Sequence, residues 1–329
     1  MSEENMVVGI VGTGAFGTAL AGVIAGQGGK VVLWGDDEGR VRELATTRKN
    51  ERRLPGVTLP ASVKATSDAA ELAGEARLVI LAVPSTRVGR TVRALGKVLD
   101  GRHLLVHAVG ALVGGQERVS ELVKRETPVK RVGAVAGPAL ARDLADKKPC
   151  ALVVASPFDE VINVTRHALT ALPSLRVYTS RDLTGVELAS ALSGAMTVAV
   201  GLGDGLGFGV GPRAVLMTRA VAEAARVGVA AGARERTFGG MAGLGNLLVR
   251  AFSVSNERSD DYRLGLALAT KDAARPETEG SRTAGAAVKL ARHLGVKTPI
   301  LDAVDGVVNE GLSAKEAAAR LLETVAEEE

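Results

Sequence analysis

The sequence predicts an α/β domain built on a doubly wound parallel sheet, followed by an all-helical domain. Three observations support this fold class. Short β-branched segments alternate with helical patterns in the first half of the chain. A glycine-rich turn follows the first of these segments. Strand patterns stop near Asp182, and long helical patterns take over. We therefore expect a first domain over residues 1–180 and an all-helical one over residues 181–329.

Composition and charge exclude several classes of function. The 329 residues contain 41 basic and 37 acidic residues, interspersed along the chain. With 2% aromatic residues and no long block of like charges, nucleic-acid binding is disfavoured. The acidic N-terminus is unlike a secretory signal, and the apolar stretch 188–199 is too short to span a bilayer. We expect a soluble cytoplasmic protein without a membrane span.

The chain has a single cysteine, Cys150, which rules out an intramolecular disulfide. Cys150 could be a reactive thiol or a small buried hydrophobic residue, and we favour the second interpretation. No metal site is expected.

The first predicted strand leads into a glycine motif. Residues 6–11 form a β-branched segment, and Gly12, Gly14 and Gly17 follow it in G-x-G-x-x-G spacing before a run of helix formers. In this arrangement the first glycine allows a tight turn, the second allows close approach of a pyrophosphate, and the third allows helix–strand packing. The start of the helix would then bind the phosphates. The residues predicted to line a dinucleotide here are Gly12, Thr13, Gly14, Ala15, Phe16 and Gly17.

An acidic residue follows the second predicted strand, which spans residues 30–35. Asp36 stands 24 positions after Gly12, where a carboxylate accepts hydrogen bonds from an adenosine ribose. The alternative is a surface turn residue beside Asp37 and Glu38. An anion at this position would repel a ribose 2′-phosphate, so the sequence favours NAD over NADP.

Further strand and helix patterns continue the alternation. Strands are expected over residues 76–85, 103–110 and 150–156, a helix over 88–99, and a strand-turn-helix unit over 131–145. Ligands of such sheets bind at the carboxyl ends of the strands. This rule would bring together the glycine motif, Pro84, Gly110 and Gly137.

The second half of the chain predicts helices throughout, among them 281–294, 301–311 and a charged terminal helix. Its first helical segment, 188–213, consists mostly of small and apolar residues before a glycine-rich turn. It contains no lysine, histidine or cysteine, and its one acidic residue is Asp204.

Long motifs carry a resemblance to a known family. They are GTGAFGTALA, NERRLPGVTLP, VPS, AGPALARDLA, GVELASAL, GLGDGLGFG, TRAVAEAARVGVAAGARERTFGGMAGLGNLL and EGSRTA. Through them the chain resembles the bacterial NAD(P)-dependent glycerol-3-phosphate dehydrogenases over nearly its full length. The resemblance implies a Rossmann domain joined to a helical substrate domain, interconversion of dihydroxyacetone phosphate and glycerol 3-phosphate, and a homodimer formed through the helical domain. It also implies cofactor contacts at Ala141 and Glu279.

The chain departs from this family at the positions that carry its chemistry. A catalytic lysine and the asparagine after it are replaced by Ser193 and Gly194. A second lysine is replaced by Val109, and the aspartate of the family's GLGD motif by Asn246. A serine hydroxyl is a poor acid near pH 7 and carries no charge to stabilise an alkoxide.

Three further differences lie near the same expected site. Arg250 replaces a threonine, and Ala139 replaces the serine of a GPS motif. The family's SRN motif, whose arginine helps to hold phosphate and cofactor, is displaced into SVSNERSDDYRLG. The nearest candidates for its role are Ser255, Asn256 and Arg258, and the resemblance assigns substrate binding to these three together with Val109 and Gly137.

Two hypotheses follow. The first is an oxidoreductase that uses NAD(P) to reduce dihydroxyacetone phosphate or a related small carbonyl compound. The second is a regulatory or partner-binding protein that binds NAD(H) but has lost the chemistry. His107, two residues before Val109, is a candidate for a replacement acid, and a core histidine with a hydrogen-bonded ring is the favoured reading.

Overall fold

The computed structural model describes residues 6–252, 259–270 and 277–323. The chain divides into two compact units, which we call the sheet unit and the helical unit. The sheet unit comprises residues 1–109 and 119–183, and the helical unit comprises residues 110–118 and 184–329. The short segment 110–118 therefore belongs with the helices, although it lies within the first half of the sequence.

Among its described residues, the sheet unit contains eight strands of one sheet and a two-stranded hairpin. The strands are β1 (Val7–Val11), β2 (Lys30–Trp34), β3 (Lys49–Asn50), β4 (Leu54–Thr58), β5 (Val63–Thr66), β6 (Leu78–Leu81), β7 (Leu104–His107), β8 (Arg131–Ala136), β9 (Cys150–Ala155) and β10 (Leu175–Ser180). The main sheet has the order β10-β9-β8-β7-β6-β1-β2-β5, and β3 pairs with β4. The change of direction on either side of β1 is the doubly wound arrangement that the sequence predicts.

Six neighbouring strands of the sheet run parallel, from β5 through β8. The pair β8–β9 is antiparallel, and β10 runs with β9. The helix between β8 and β9 is the reason. It spans only Ala141–Ala145, which rises about 7 Å and is too short to carry the chain back to the opposite edge of the sheet.

The helices of the sheet unit cover both faces of the sheet. They are α1 (Ala15–Gly26), α2 (Glu38–Thr47), α3 (Ala69–Glu75), α4 (Ser85–Leu95), α5 (Val119–Glu126), α6 (Ala141–Ala145) and α7 (Asp159–Leu169). Strand residues such as Ile10, Leu33 and Ile80 are fully buried. Strands buried on both faces read as continuous apolar runs, which is why the sequence predicted them.

The helical unit has no strand among its described residues. Its helices are α8 (Leu183–Gly205), α9 (Val210–Ala230), α10 (Asn246–Phe252), α11 (Asp260–Thr270), α12 (Glu279–His293), α13 (Pro299–Asn309) and α14 (Ala314–Glu323). A π-helical turn, Met241–Gly245, leads directly into α10.

Helix α8 is the longest described helix of the helical unit. It has 23 residues and is longer than the apolar stretch 188–199 singled out in the sequence. Its length and apolar composition would suit a membrane span, but its most apolar window is completely buried within the protein. The small side chains along α8 therefore serve close packing with other helices.

Candidate functional site

The glycine motif forms the turn between β1 and α1 at the carboxyl edge of the sheet. Gly12 has a φ of +124°, and a Cβ atom there would lie 2.3 Å from the carbonyl oxygen of Ala82. A Cβ atom on Gly17 would lie 2.1 Å from the carbonyl oxygen of Gly12. Any side chain at either position would displace the backbone, so both glycines are required for the shape of the turn.

Gly14 is different because it faces open space. No atom lies within 4 Å of a Cβ built there, and Gly14 is the N-cap of α1 without a side-chain capping bond. The first backbone N–H groups of the helix, at Ala15 and Phe16, therefore lie at an uncapped helix start. Such a start binds phosphate oxygens through N–H groups and the helix dipole. The turn thus has the shape and polarity that a dinucleotide pyrophosphate needs.

A buried side chain, Asn50, holds this turn from outside the motif. Its Nδ2 donates to the carbonyl oxygen of Thr13 at 3.0 Å and to Oγ1 of Thr18 at 2.7 Å. Asn50 is the first residue of the NERRLPGVTLP motif, but nothing in that motif predicted its role. No local pattern marks a residue that acts on a turn 37 positions earlier.

Asp36 lies at the end of β2, one residue beyond Gly35. Its carboxylate pairs with Arg87 at 3.2 Å and with Arg90 at 2.7 Å, both on α4. The local turn role belongs to Asp37, which caps α2 by accepting the backbone N–H of Arg40. Asp36 therefore has a carboxylate held by two arginines at the surface of the sheet unit and no capping role.

The remaining predicted residues of the sheet unit lie after β7 and β8. Val109 is buried, and its backbone N–H approaches Nδ1 of the buried His107 at 3.4 Å. Gly137 has a φ of +137°. Ala139 and Ala141 are half-buried, and Ala141 begins α6.

Cys150 lies at the start of β9 and is half-buried. Burial raises the pKa of its thiol, with a further contribution from the negative charge of Asp143. A raised pKa reduces the thiolate population, which argues against a reactive thiol.

Polar side chains from α8 and α10 meet inside the helical unit. Asn246 is the first residue of α10, and its Nδ2 donates to Oγ of Ser190 and to the carbonyl oxygen of Ala242, both at 3.2 Å. Ser193 is buried, and its hydroxyl donates to the carbonyl oxygen of Ser190 at 2.7 Å. At the two predicted catalytic positions, the described side chains are neutral and hydrogen-bonded within the unit.

A partly buried ion pair lies beside these residues. Nη1 of Arg250 is 2.9 Å from Oδ2 of Asp261, and Oδ1 of Asp261 accepts the backbone N–H of Gly280 at 2.8 Å. A Cβ atom on Gly194 would lie 3.2 Å from Oδ2 of Asp261 and 3.4 Å from Nη1 of Arg250. The absence of a side chain at position 194 leaves the room that this ion pair occupies.

Gly110, in the short segment 110–118, lies against the same group. A Cβ atom there would lie 3.0 Å from Oγ of Ser190 and 3.3 Å from Nη2 of Arg250. The φ of Gly110 is not positive, so its backbone conformation does not require glycine. The glycine is needed because a side chain would crowd Ser190 and Arg250. Ser190, Asn246, Arg250, Asp261 and Gly110 together form what we call the Arg250 cluster.

Other predicted residues of the helical unit have separate positions. Glu279 begins α12, and its Oε1 lies 3.3 Å from Nη2 of Arg282. Ser255, Asn256 and Arg258 lie outside the described residues. Among the residues that are described, no group of three or more His, Cys, Asp or Glu side chains could hold a metal ion.

Sequence reasoning missed Ser190 and Asp261 in the Arg250 cluster. Asp261 lies in SDDYRLG, within the segment where the displaced motif was sought. An acidic residue there, together with the unexpected Arg250, was an available signal for an ion pair. Ser190 left no such signal, because small polar residues are common in a tightly packed helix.

The fold and the glycine turn together define the class of protein. A doubly wound sheet with a glycine turn open at a helix start, followed by an all-helical unit, is a two-domain dinucleotide-binding architecture. Family models match both halves. The model described as the NAD-dependent glycerol-3-phosphate dehydrogenase N-terminus matches residues 7–162, and that of the C-terminus matches residues 182–319.

Individual proteins agree with these models. The chain is 36% identical to glycerol-3-phosphate dehydrogenase [NAD(P)+] of Streptomyces coelicolor, covering 97% of each chain. It is 37% identical to the enzyme of the same name from Geobacillus thermodenitrificans, covering 97% of this chain and 94% of that one. The crystal structure of glycerol-3-phosphate dehydrogenase from Coxiella burnetii matches with a TM-score of 0.89 and 28% identity, over 97% of this chain and 99% of that chain. The chain belongs to the NAD-dependent glycerol-3-phosphate dehydrogenase family, which confirms the resemblance and the fold class predicted from the sequence.

Proposed function

We propose that the protein is an NAD(H)-dependent oxidoreductase that interconverts dihydroxyacetone phosphate and sn-glycerol 3-phosphate, a reaction of glycerophospholipid synthesis. The family match over both halves of the chain carries this proposal. The open glycine turn supports it, because Gly14 leaves space for a pyrophosphate at the start of α1. When bound, the nicotinamide would supply or accept the hydride. The residues of the turn, together with Ala141 and Glu279, would hold the dinucleotide.

We further propose that NAD(H) is preferred to NADP(H). The carboxylate of Asp36 would accept hydrogen bonds from the adenosine ribose and would disfavour a 2′-phosphate. Arg87 and Arg90, which pair with it, would hold the carboxylate in a fixed orientation. The same two arginines reduce the net negative charge at this position, so we expect NADP(H) to bind more weakly rather than not at all.

A second candidate function is an NAD(H)-binding regulatory protein without turnover. The hydrogen bonds of Ser193 and Asn246 favour this regulatory function. The Ser193 hydroxyl is engaged by its own helix at 2.7 Å, and a neutral amide occupies the position of an aspartate at Asn246. Losing a positioned general acid typically costs about 10²–10⁴ in rate. Such a protein would still bind NADH and could act through a protein partner.

One pair of measurements separates the two candidates. NADH binding is titrated by calorimetry, and NADH oxidation with dihydroxyacetone phosphate is followed by absorbance in the same preparation. Binding with turnover supports the oxidoreductase, and binding without turnover supports the regulatory protein. No NADH binding would contradict both.

We also propose a cytoplasmic homodimer that associates through the helical unit. Several apolar side chains of this unit are exposed, among them Val210 at 86%, Val215 at 58% and Phe252 at 57%. Apolar surface of this kind favours association. Light scattering at micromolar concentration tests the proposal. A dimer mass that falls to a monomer mass in Val210→Glu/Val215→Glu would support it, and a monomer mass for the unmodified protein would contradict it.

A further inference from the structure

A cleft of about 950 Å³ lies within the sheet unit, between the end of α1 and the helix α7. We call it the α1–α7 cleft. Its wall on α7 is formed by Asn163, Arg166, His167 and Thr170, whose spacing of three and four residues places them on one face of that helix. Small-molecule sites in proteins have volumes of about 300–1,000 Å³, so the cleft is large enough for a small ligand.

Two arginines give the cleft a positive charge. The described lining includes Arg166 of α7 and Arg176 of β10, and it contains no aspartate or glutamate. Both residues are exposed, and among the described residues neither guanidinium has an ion pair or a side-chain hydrogen bond. Arg131 of the same unit, by contrast, is paired with Glu160. The two cleft arginines therefore keep their donors for an external anion.

The helix dipole of α7 accounts for only part of this charge. Arg166 and His167 lie in the last turn of α7, where basic side chains interact favourably with the helix dipole. Arg176 is the second residue of a strand, so this effect does not explain its position. Basic side chains from two separate elements thus meet at one cleft.

The rest of the lining includes aliphatic side chains. Val8, Ile24 and Val177 are almost completely buried where they line the cleft, and Leu172 lines it with 65% of its surface exposed. The described lining has no phenylalanine, tyrosine or tryptophan, so it offers no such ring on which a nucleotide base could stack. An aliphatic chain suits this surface better.

We propose that the α1–α7 cleft binds a small amphipathic anion, in which an aliphatic chain carries a phosphate or a carboxylate group. Arg166 and Arg176 bind the anionic group through charge-assisted hydrogen bonds, which are stronger than neutral ones. The aliphatic chain lies against Leu172 and Val177, where its removal from water adds affinity.

The cleft is separate from the glycine turn. Helix α1 has 12 residues and is therefore about 18 Å long. The turn lies at its start, whereas the cleft is lined by Ile24 near its end and by residues 27–29 beyond it. An anion in the cleft leaves the pyrophosphate position open, so this inference holds for either candidate function.

Calorimetric titration of the full-length protein tests the cleft with octyl phosphate, octanoate, octanol and inorganic phosphate. We expect at least one of the two octyl anions to bind, and octanol and inorganic phosphate to bind at least about tenfold more weakly. Arg166→Met and Arg176→Met should each weaken binding of the octyl anion by about tenfold, and Leu172→Ser by about fivefold. Binding of only one octyl anion identifies the preferred group as phosphate or carboxylate.

The matched control is Arg93→Met. Arg93 is also an exposed arginine in the last turn of a helix of the sheet unit, α4, but it does not line the cleft. This variant should bind the octyl anion as the wild type does. Arg166→Lys keeps the charge and should bind more tightly than Arg166→Met.

Three results would overturn the proposal. They are a wild type that binds neither octyl anion, a double variant Arg166→Met/Arg176→Met that binds as the wild type does, and a loss in Arg93→Met equal to that in Arg166→Met. A repeat titration with saturating NADH checks the location, and we expect unchanged affinity for the octyl anion. Competition between the two ligands would place the anion at the glycine turn and would also overturn the proposal.

Discussion

The glycine turn and the Arg250 cluster differ in what holds them together. The turn is defined by the backbone: a positive φ at Gly12, a close approach at Gly17 and an open helix start at Gly14. The cluster is defined by side chains from α8, α10 and α11, joined by an ion pair and amide hydrogen bonds. A backbone-defined site tolerates few substitutions, whereas a side-chain cluster can exchange one set of polar groups for another.

The two sites also differ in how strongly their residues depend on one another. The glycine turn keeps the residue types that its geometry requires. Beside the cluster, Gly194 provides room for the pair formed by Arg250 and Asp261. These three residues therefore form one coupled arrangement, and changing any one of them would disturb the others.

The largest expected effect is at the turn. Gly14→Asp would place a negative charge where the pyrophosphate is expected, without a steric clash, because no atom lies within 4 Å of its Cβ position. We expect NADH affinity to fall about 1000-fold, from repulsion of a few kcal/mol between charges about 4 Å apart. Calorimetry measures the loss.

Gly26→Asp is the control for that variant. Gly26 is the last residue of α1 and also has no atom within 4 Å of its Cβ position. It should bind NADH as the wild type does. Equal NADH binding by Gly14→Asp and the wild type would show that the turn is not the cofactor site.

A second buried acid of the helical unit predicts a pH dependence that the neutral turn lacks. Glu223 on α9 is 1% exposed and accepts the backbone N–H groups of Ile300 and Leu301 at the start of α13. Burial raises its pKa to about 7, against the lowering effect of those N–H groups and of Arg226. Asp302 on α13 adds to the increase.

Because the pKa of Glu223 is higher in the folded state, the folded protein binds this proton more tightly than the unfolded chain. The free energy of unfolding should therefore fall as the pH rises from about 4.5 to about 7, by up to about 3 kcal/mol. Urea unfolding across this range, compared with Glu223→Gln, measures the difference. Identical pH profiles for the two proteins would contradict the prediction.

The sequence predicted the glycine turn and the fold class because both follow from local patterns. Strand–glycine–helix spacing and a switch from strand to helix periodicity are visible within a few residues. The reversal of β9 and the grouping of Ser190 and Gly110 with Arg250 were not predictable in this way. The first depends on the length of α6, and the second on contacts between residues such as Arg250 and Gly110, which lie 140 positions apart.

The tight fit at Gly194 predicts that an asparagine there, the residue that the resemblance implies for the family, will cost stability. A Cβ atom would lie 3.2 Å from the Cα of Gly280 and from Oδ2 of Asp261. We expect Gly194→Asn to lower the free energy of unfolding by about 1–3 kcal/mol, as overpacking typically does. Urea unfolding measures it.

Gly211→Ala is the control, because Gly211 lies in α9 with no atom within 4 Å of its Cβ position. Gly211 is the second residue of α9, and alanine at this exposed position should change the free energy of unfolding by less than about 0.5 kcal/mol. A Gly194→Asn protein as stable as the wild type would contradict the coupled arrangement.

That result would also make the fourfold variant Ser193→Lys/Gly194→Asn/Asn246→Asp/Val109→Lys a suitable test of restored dihydroxyacetone phosphate reduction. If the positions act as a unit, each single change should do much less than the four together.

The smallest expected effect concerns cofactor preference at Asp36. Asp36→Ser removes the carboxylate and releases Arg87 and Arg90, which can then pair with a ribose 2′-phosphate. We expect the ratio of NADPH to NADH affinity to rise about tenfold, the equivalent of one charge-assisted hydrogen bond. The neighbouring Asp37→Ser leaves these arginines paired and removes only the cap of α2 and an ion pair with Arg40, so its ratio should match that of the wild type. If the Asp36→Ser ratio also matches the wild type, Asp36 does not lie at the ribose, and the preference for NAD(H) must arise elsewhere. A wild type that binds NADPH more tightly than NADH would lead to the same conclusion, because a carboxylate facing the ribose cannot favour the more negatively charged cofactor.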